Sequence, residues 1–151
     1  MLVKFIRLIP LNAAFVALFF VGSVSAKPGW LTDFTEARIA AKAQKKLLVV
    51  DFTGSDWCGW CIKLDREVFA KPEFQEYARK NLVLLEIDFP RGKELPAAQK
   101  KQNEQFAMEQ EIQGFPTVIV FDSEGRKVGI LGYTAGGPAA FIAELDKLPK
   151  G

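Results

Sequence analysis

Cys58 and Cys61 are the only cysteines of this 151-residue chain, and they sit three apart within Trp57-Cys58-Gly59-Trp60-Cys61. On the first turn of a helix, positions i and i+3 share a face, so the two thiols lie close enough to close a small ring. The positive end of that helix lowers the pKa of the leading thiol. Those residue types at that spacing make a redox dithiol, with Cys58 as nucleophile and Cys61 as its resolving partner. The pair has blander uses as one knuckle of a zinc site, as a structural bridge, or as two buried free thiols. A structural zinc site needs four ligands, and the chain has no histidine and no second cysteine pair, so an intrachain zinc site is excluded. A structural bridge over so short a loop gains the least entropy.

Such a pair acts only where strands and helices hold it. Leu47 to Phe52 is apolar on both faces apart from Asp51, so Lys46–Phe52 is expected as a central strand parallel to its neighbours. Ahead of it, Trp30–Lys46 is expected to be helical, with Asp33 capping toward Glu36 and with Phe34, Ala37 and Ala41 on one face. After it, a helix from Cys58 to Phe69 breaks at Lys71-Pro72 and resumes through Phe74, Tyr77 and Ala78. Leu82–Phe89 is a second buried strand. A polar helix follows from Pro96 to Gln110, with Phe106 and Ala107 facing the core. Thr117–Asp122 and Lys127–Tyr133 form a hairpin around Ser123-Glu124-Gly125, and a last helix from Pro138 buries Phe141, Ile142 and Leu145. The order α-β-α-β-α-β-β-α makes an α/β protein with a mixed sheet flanked by helices, and its chemistry belongs at the carboxyl ends of the central strands.

Lys4 and Arg7, an apolar stretch from Leu8 to Val21, and Val24-Ser25-Ala26 before Lys27 have the pattern of a cleavable secretory signal, cut after Ala26. The apolar core is interrupted by Pro10 and Asn12 and is shorter than the roughly 20 residues a spanning helix needs. Residues 27–151 then form one domain, and the formal charge falls from +2 to 0, which leaves no basic footprint for nucleic acid. Export to an oxidising compartment, periplasmic or otherwise extracytoplasmic, leaves Cys58 and Cys61 available for exchange rather than for stapling the fold.

Trp57-Cys58-Gly59-Trp60-Cys61 behind a central strand, followed by Gly114-Phe115-Pro116-Thr117 before a third strand, resembles the thioredoxin superfamily from about Trp30 to Leu148. The lead-in Asp51-Phe52-Thr53-Gly54-Ser55-Asp56 and the Cys-x-Trp-Cys core are similar to exported thioredoxin-fold reductases of the DsbH type and to the thioredoxin-like domain of DsbD. The resemblance implies the thioredoxin fold and a protein thiol-disulfide oxidoreductase whose only redox group is the Cys58–Cys61 pair, with no bound cofactor or metal. It also implies that Pro116 is a cis-proline facing the cysteines, with the Phe115 backbone pairing an extended substrate strand.

Trp57, Gly59 and Trp60 complete the expected substrate groove. Gly59 leaves the attack line open, and Trp60 stands where strong oxidants of the superfamily carry a histidine. Its uncharged indole stabilises the Cys58 thiolate less than an imidazolium would, which favours a reductase. Asp51 is the expected proton acceptor, by similarity to the buried acid behind the second cysteine in thioredoxins. The spacing to Cys58 is one residue longer here, and Leu84 stands where their lysine partner would be, so Asp56 is the alternative acid. Lys63 and Arg66 read as solvated. Partners are disulfide-bearing or thiol-bearing proteins and a membrane-bound redox partner, with the chain itself a monomer. Isomerase and oxidase activities are the alternatives within the enzyme class. A holdase or soft-metal carrier is the alternative outside it.

Overall fold

The computed structural model describes residues 27–149; the expected signal, residues 1–26, lies outside them. Asp33 ends the extended entry of the chain, and its Oδ1 accepts the Glu36 N–H at 2.7 Å, so α1 runs over Phe34–Gln44. Trp30 and Leu31, expected in this helix, lie outside it because the cap fixes its start. Instead Leu31 pairs with the edge of the second strand. Its N–H donates to Leu84 O at 2.9 Å, and its carbonyl accepts from Glu86 N at 2.9 Å.

β1 (Leu47–Thr53) is buried along its whole length. α2 (Gly59–Leu64) leads into a π-helical turn over Asp65–Phe69, closed by the Ala70 N–H on Asp65 O at 2.8 Å. The expected single helix to Phe69 thus contains an inserted residue, which the 3.6-residue period does not reveal. Then follow α3 (Pro72–Asn81), β2 (Leu82–Asp88), α4 (Ala97–Glu109), β3 (Thr117–Phe121), β4 (Lys127–Leu131) and α5 (Gly137–Asp146).

The sheet order is β2-β1-β3-β4, with β1 parallel to β2 and antiparallel to β3. β1 is central as expected, but not parallel to both neighbours. Apolar residues on both faces report burial and say nothing about strand direction.

Side chains alternate across the sheet. Leu48, Val50 and Phe52 pack with Ala37, Ala41 and Phe106 beneath α1 and α4. Leu47 and Val49 pack with Leu64, Val68, Phe74 and Phe141 on the side of α2, α3 and α5. Each fully buried phenylalanine contributes roughly 1.5–3 kcal/mol by leaving water. By the same alternation Asp51 and Glu86 fall on the α2 side, directly opposite each other in the β1–β2 register. Among the described residues no helix is long and apolar enough to cross a membrane.

Candidate active site

The chain leaves β1 through Gly54-Ser55-Asp56 and enters α2 at Cys58, whose extended backbone makes it the N-cap. Cys58 and Cys61 are joined in a disulfide, with their Cα atoms 5.2 Å apart. Cys58 Sγ also accepts the Cys61 backbone N–H at 3.2 Å. The sulfur of Cys58 therefore occupies the place a capping oxygen would take, at the positive end of the helix, where an anion is stabilised. Cys58 is 7% exposed and Cys61 4%, so in the bridged state the two are nearly equally covered.

Trp57 is more than a rim aromatic. Its indole N–H donates to Phe89 O at 2.7 Å, its ring meets Phe115 edge-on at 6.0 Å, and the Arg91 guanidinium lies 3.8 Å over its face. A Cβ on Gly54 would fall 2.5–2.7 Å from three atoms of that ring, so only glycine lets the indole lie there. Through Trp57 the cysteine loop is tied to the Phe115–Pro116 loop, whose peptide bond is cis. Thr117, next in sequence, pairs with Phe52 at the end of β1, which brings Pro116 to the carboxyl end of the central strand.

On the other flank Trp60, 58% exposed, packs on Tyr133 at 5.2 Å. Lys63 lies 5.0 Å over Trp60 and 4.8 Å over Tyr133, so it belongs to the rim of the site rather than to solvent. Arg66 is 70% exposed at its side chain and pairs with Glu67 at 3.4 Å. Gly59 faces open space, with no non-neighbouring atom of the described residues within 4 Å of where a Cβ would stand.

Asp51 is buried at 2% exposure, and its carboxyl is raised to about 7. Burial is the main cause; Lys27 opposes it, and Glu86 and Asp65 add to it. The cation absent at Leu84 comes instead from Lys27, whose Nζ stands 3.7 Å from Asp51 Oδ2 and 3.1 Å from Glu86 Oε1, and bonds Asp65 Oδ1 at 2.9 Å. Asp56 does other work. Its carboxylate accepts the backbone N–H of Arg91 at 3.0 Å and of Gly92 at 2.6 Å, and these bonds hold it below the usual carboxylate range. Asp88 accepts from Ser55 N and Oγ at 3.0 and 2.7 Å and pairs with Lys93 at 3.3 Å, which fixes the loop between β1 and Cys58.

Sequence reasoning missed Lys27, Glu86, Asp65 and Asp88. Acids within apolar strands, Asp51 in β1 and Glu86 and Asp88 in β2, were the one readable signal. Nothing in sequence links Lys27 to either.

A cysteine pair capping a helix behind the central strand, faced by a cis-proline loop, coincides with a match of residues 34–149 to the thioredoxin-like domain. The chain belongs to the thioredoxin-like family. This thioredoxin-like protein is 33% identical over 118 residues to the disulfide bond reductase DsbH of Chlamydia pneumoniae, covering 78% of the chain and 71% of that relative. A solved DsbH oxidoreductase superimposes with a TM-score of 0.74 at 32% identity, over 78% of this chain and 81% of that one. The reduced DsbD C-terminal domain of Neisseria meningitidis, at 21% identity and a TM-score of 0.58 over 76% of this chain and 92% of that one, shares the fold. The thioredoxin-like protein carries the dithiol of a thiol-disulfide oxidoreductase.

Proposed function

We propose that the protein is an exported reductase of protein disulfides. The observation that carries this reading is the Cys61 N–H donated to Cys58 Sγ at the start of α2, with an uncharged Trp60 as the neighbouring side chain. The helix end makes Cys58 the better thiolate, while the lack of an imidazolium beside it keeps the couple from being strongly oxidising.

In the reaction, the Cys58 thiolate attacks a client disulfide, forming a mixed disulfide and releasing the first client thiolate. Cys61 gives its proton to Asp51 and attacks Cys58 Sγ. The second client sulfur leaves with its electron pair, and the Cys58–Cys61 bridge closes. The client disulfide gains two electrons and the cysteine pair loses two. Trp57, Trp60, Phe115 and Pro116 line the client groove, Gly59 keeps the approach to Cys58 clear, and the Phe115 backbone pairs the client's extended chain.

A bridge formed in this way must be reopened, so a membrane-bound donor outside the cytoplasm is the partner this reading requires. Export through residues 1–26 brings the protein to it. The pair itself is the whole redox machinery, with no bound cofactor or metal, and the protein works as a monomer.

Equilibration against thiol buffers, read by tryptophan fluorescence, tests the proposal. A potential near the thioredoxin value of about −270 mV supports a reductase. One near about −120 mV makes the protein an oxidase, and the absence of a reversible couple leaves a binding module.

A further inference from the structure

Lys27 is held by more contacts than any surface lysine needs. Its ammonium meets carboxylates from three different elements: Asp65 of the π turn at 2.9 Å, Glu86 of β2 at 3.1 Å and Asp51 of β1 at 3.7 Å. It also stands 4.7 Å over the ring of Trp30 and 5.5 Å over that of Phe69. The segment that delivers it is docked independently. Trp30 is buried against Phe69 at 5.0 Å, and Leu31 makes two backbone hydrogen bonds with the edge of β2.

This cluster lies directly behind the redox pair. Lys27, Asp65 and Glu86 line a cavity of about 200 Å3 together with Cys61, Thr53 and Ser55. Lys93 also faces it from the β2–α4 loop, engaged with Asp88 at 3.3 Å. Asp51 and Glu86 are opposite each other in the strand register, and two such carboxylates repel unless a cation stands between them. Lys27 is that cation. Burial would lower its ammonium, but Asp51, Glu86 and Asp65 outweigh burial and hold it above the usual lysine range.

We propose that Lys27 is a positioning residue of the redox reaction: carried in by the docked segment 27–31, its ammonium keeps Asp51 in the ionised form that takes the proton of Cys61 during resolution. In this role Lys27 acts through the carboxylate and takes no part in the sulfur exchange itself. The inference rests on Asp51 being the proton acceptor. Electrons move as in the resolution step above: the Cys61 S–H proton passes to Asp51, the Cys58–client bond breaks, the Cys58–Cys61 bond forms, and the client sulfur leaves as thiolate. The charged groups acting on Asp51 are Lys27 from the entry segment, Glu86 from β2 and Asp65 from the π turn, while Cys61 of α2 and Lys93 of the β2–α4 loop line the cavity that Lys27, Glu86 and Asp65 also line.

The test is rapid-quench mass spectrometry of the reduced full chain mixed with a disulfide-bonded peptide, which separates the mixed disulfide from the closed bridge and yields the resolution rate at each pH. Lys27→Met, which keeps the apolar stem, is expected to move the midpoint of the rate profile upward by about one pH unit or more, the usual effect of losing an adjacent opposite charge. Lys27→Gln is expected to do the same and guards against a packing defect at Trp30 and Phe69. Lys27→Arg is expected to restore the wild-type midpoint. In an Asp51→Asn background, Lys27→Met is expected to add nothing.

A Lys27→Met profile that coincides with wild type, while Asp51→Asn flattens it, overturns the role of Lys27 alone. An Asp51→Asn profile identical to wild type overturns the acceptor reading beneath it. A full Lys27→Met shift persisting without Asp51 also overturns the proposal, since the lysine would then act on the sulfurs directly. As an equilibrium check, the protonated-carboxyl infrared band of Asp51, assigned by its loss in Asp51→Asn, should persist to higher pH in Lys27→Met. A band that titrates as in wild type counts against the proposal.

Discussion

The backbone N–H of Cys61 points at the sulfur of Cys58 across 3.2 Å, so the residue proposed to resolve the mixed disulfide supplies the donor that caps the sulfur proposed to attack. The two sulfurs are therefore not equivalent. Cys58 caps the positive end of α2, while Cys61 lies one turn inward.

Trapping should reveal that difference. Cys61→Ser is expected to accumulate mixed disulfides through Cys58, because attack still occurs and resolution does not. Cys58→Ser is expected to trap few clients. Non-reducing electrophoresis of both variants after exposure to disulfide-bonded protein reads the result, and equal trapping would contradict the division of labour.

Asp51 makes stability depend on pH. Its folded-state carboxyl titrates at about 7, above the usual carboxylate value, chiefly through burial. The unfolded chain therefore binds fewer protons than the folded one between about pH 4 and 7, and stability falls as pH rises through that window. Asp51→Asn is expected to remove this slope and to stabilise the protein above pH 7 by on the order of 2–4 kcal/mol. Urea unfolding at pH 5 and pH 8 checks it: a variant no more stable than wild type at pH 8 would contradict the raised carboxyl.

Gly54 lies under the Trp57 indole with no room for a methyl group. Gly54→Ala is expected to destabilise the fold by about 1–3 kcal/mol, as overpacking does, and to lift the indole off Phe89 O. Tryptophan emission and client reduction should change together. An unaltered spectrum with unaltered activity would mean that the contact has no consequence.

Asp88 secures the loop that presents Cys58. Its carboxylate accepts two hydrogen bonds from Ser55 and pairs with Lys93. Asp88→Ala is expected to cost about 1.5–3 kcal/mol, the range for a hydrogen bond to a charged group, and to slow the first attack on client disulfide. Thermal unfolding with stopped-flow client reduction separates the two effects, and wild-type behaviour in both would show the loop to be held by other contacts.

Trp60→His would place an imidazolium beside the capping sulfur. Preferential stabilisation of the thiolate makes the couple more oxidising, so the potential is expected to rise by on the order of 30 mV or more, the equivalent of about 1.4 kcal/mol. Equilibration against thiol buffers below the imidazole titration range measures it. A fall in potential would contradict the thiolate argument.

Much of this architecture was legible along the chain because its signals are local. The i, i+3 cysteines after a buried strand, the Asp33 cap, the continuous apolar run of β1 and the Phe115–Pro116 position ahead of a third strand all follow from covalent spacing and periodicity. Spacing and periodicity do not reveal which way β3 runs, because burial on both faces is the same for either direction. Nor do they reveal the π turn, where one added residue leaves the apolar pattern nearly intact.

The electrostatics of the site were decided by tertiary structure alone. Lys27 and Asp51 are 24 positions apart and share no motif, and Glu86 and Asp65 come from two further elements. They meet because Trp30 and Leu31 dock beside β2, while the β1–β2 register sets Asp51 against Glu86 under the π turn. A dithiol can be written into four consecutive residues. The charge state of the carboxylate behind it depends on distance and burial, and these exist only once the strands have paired.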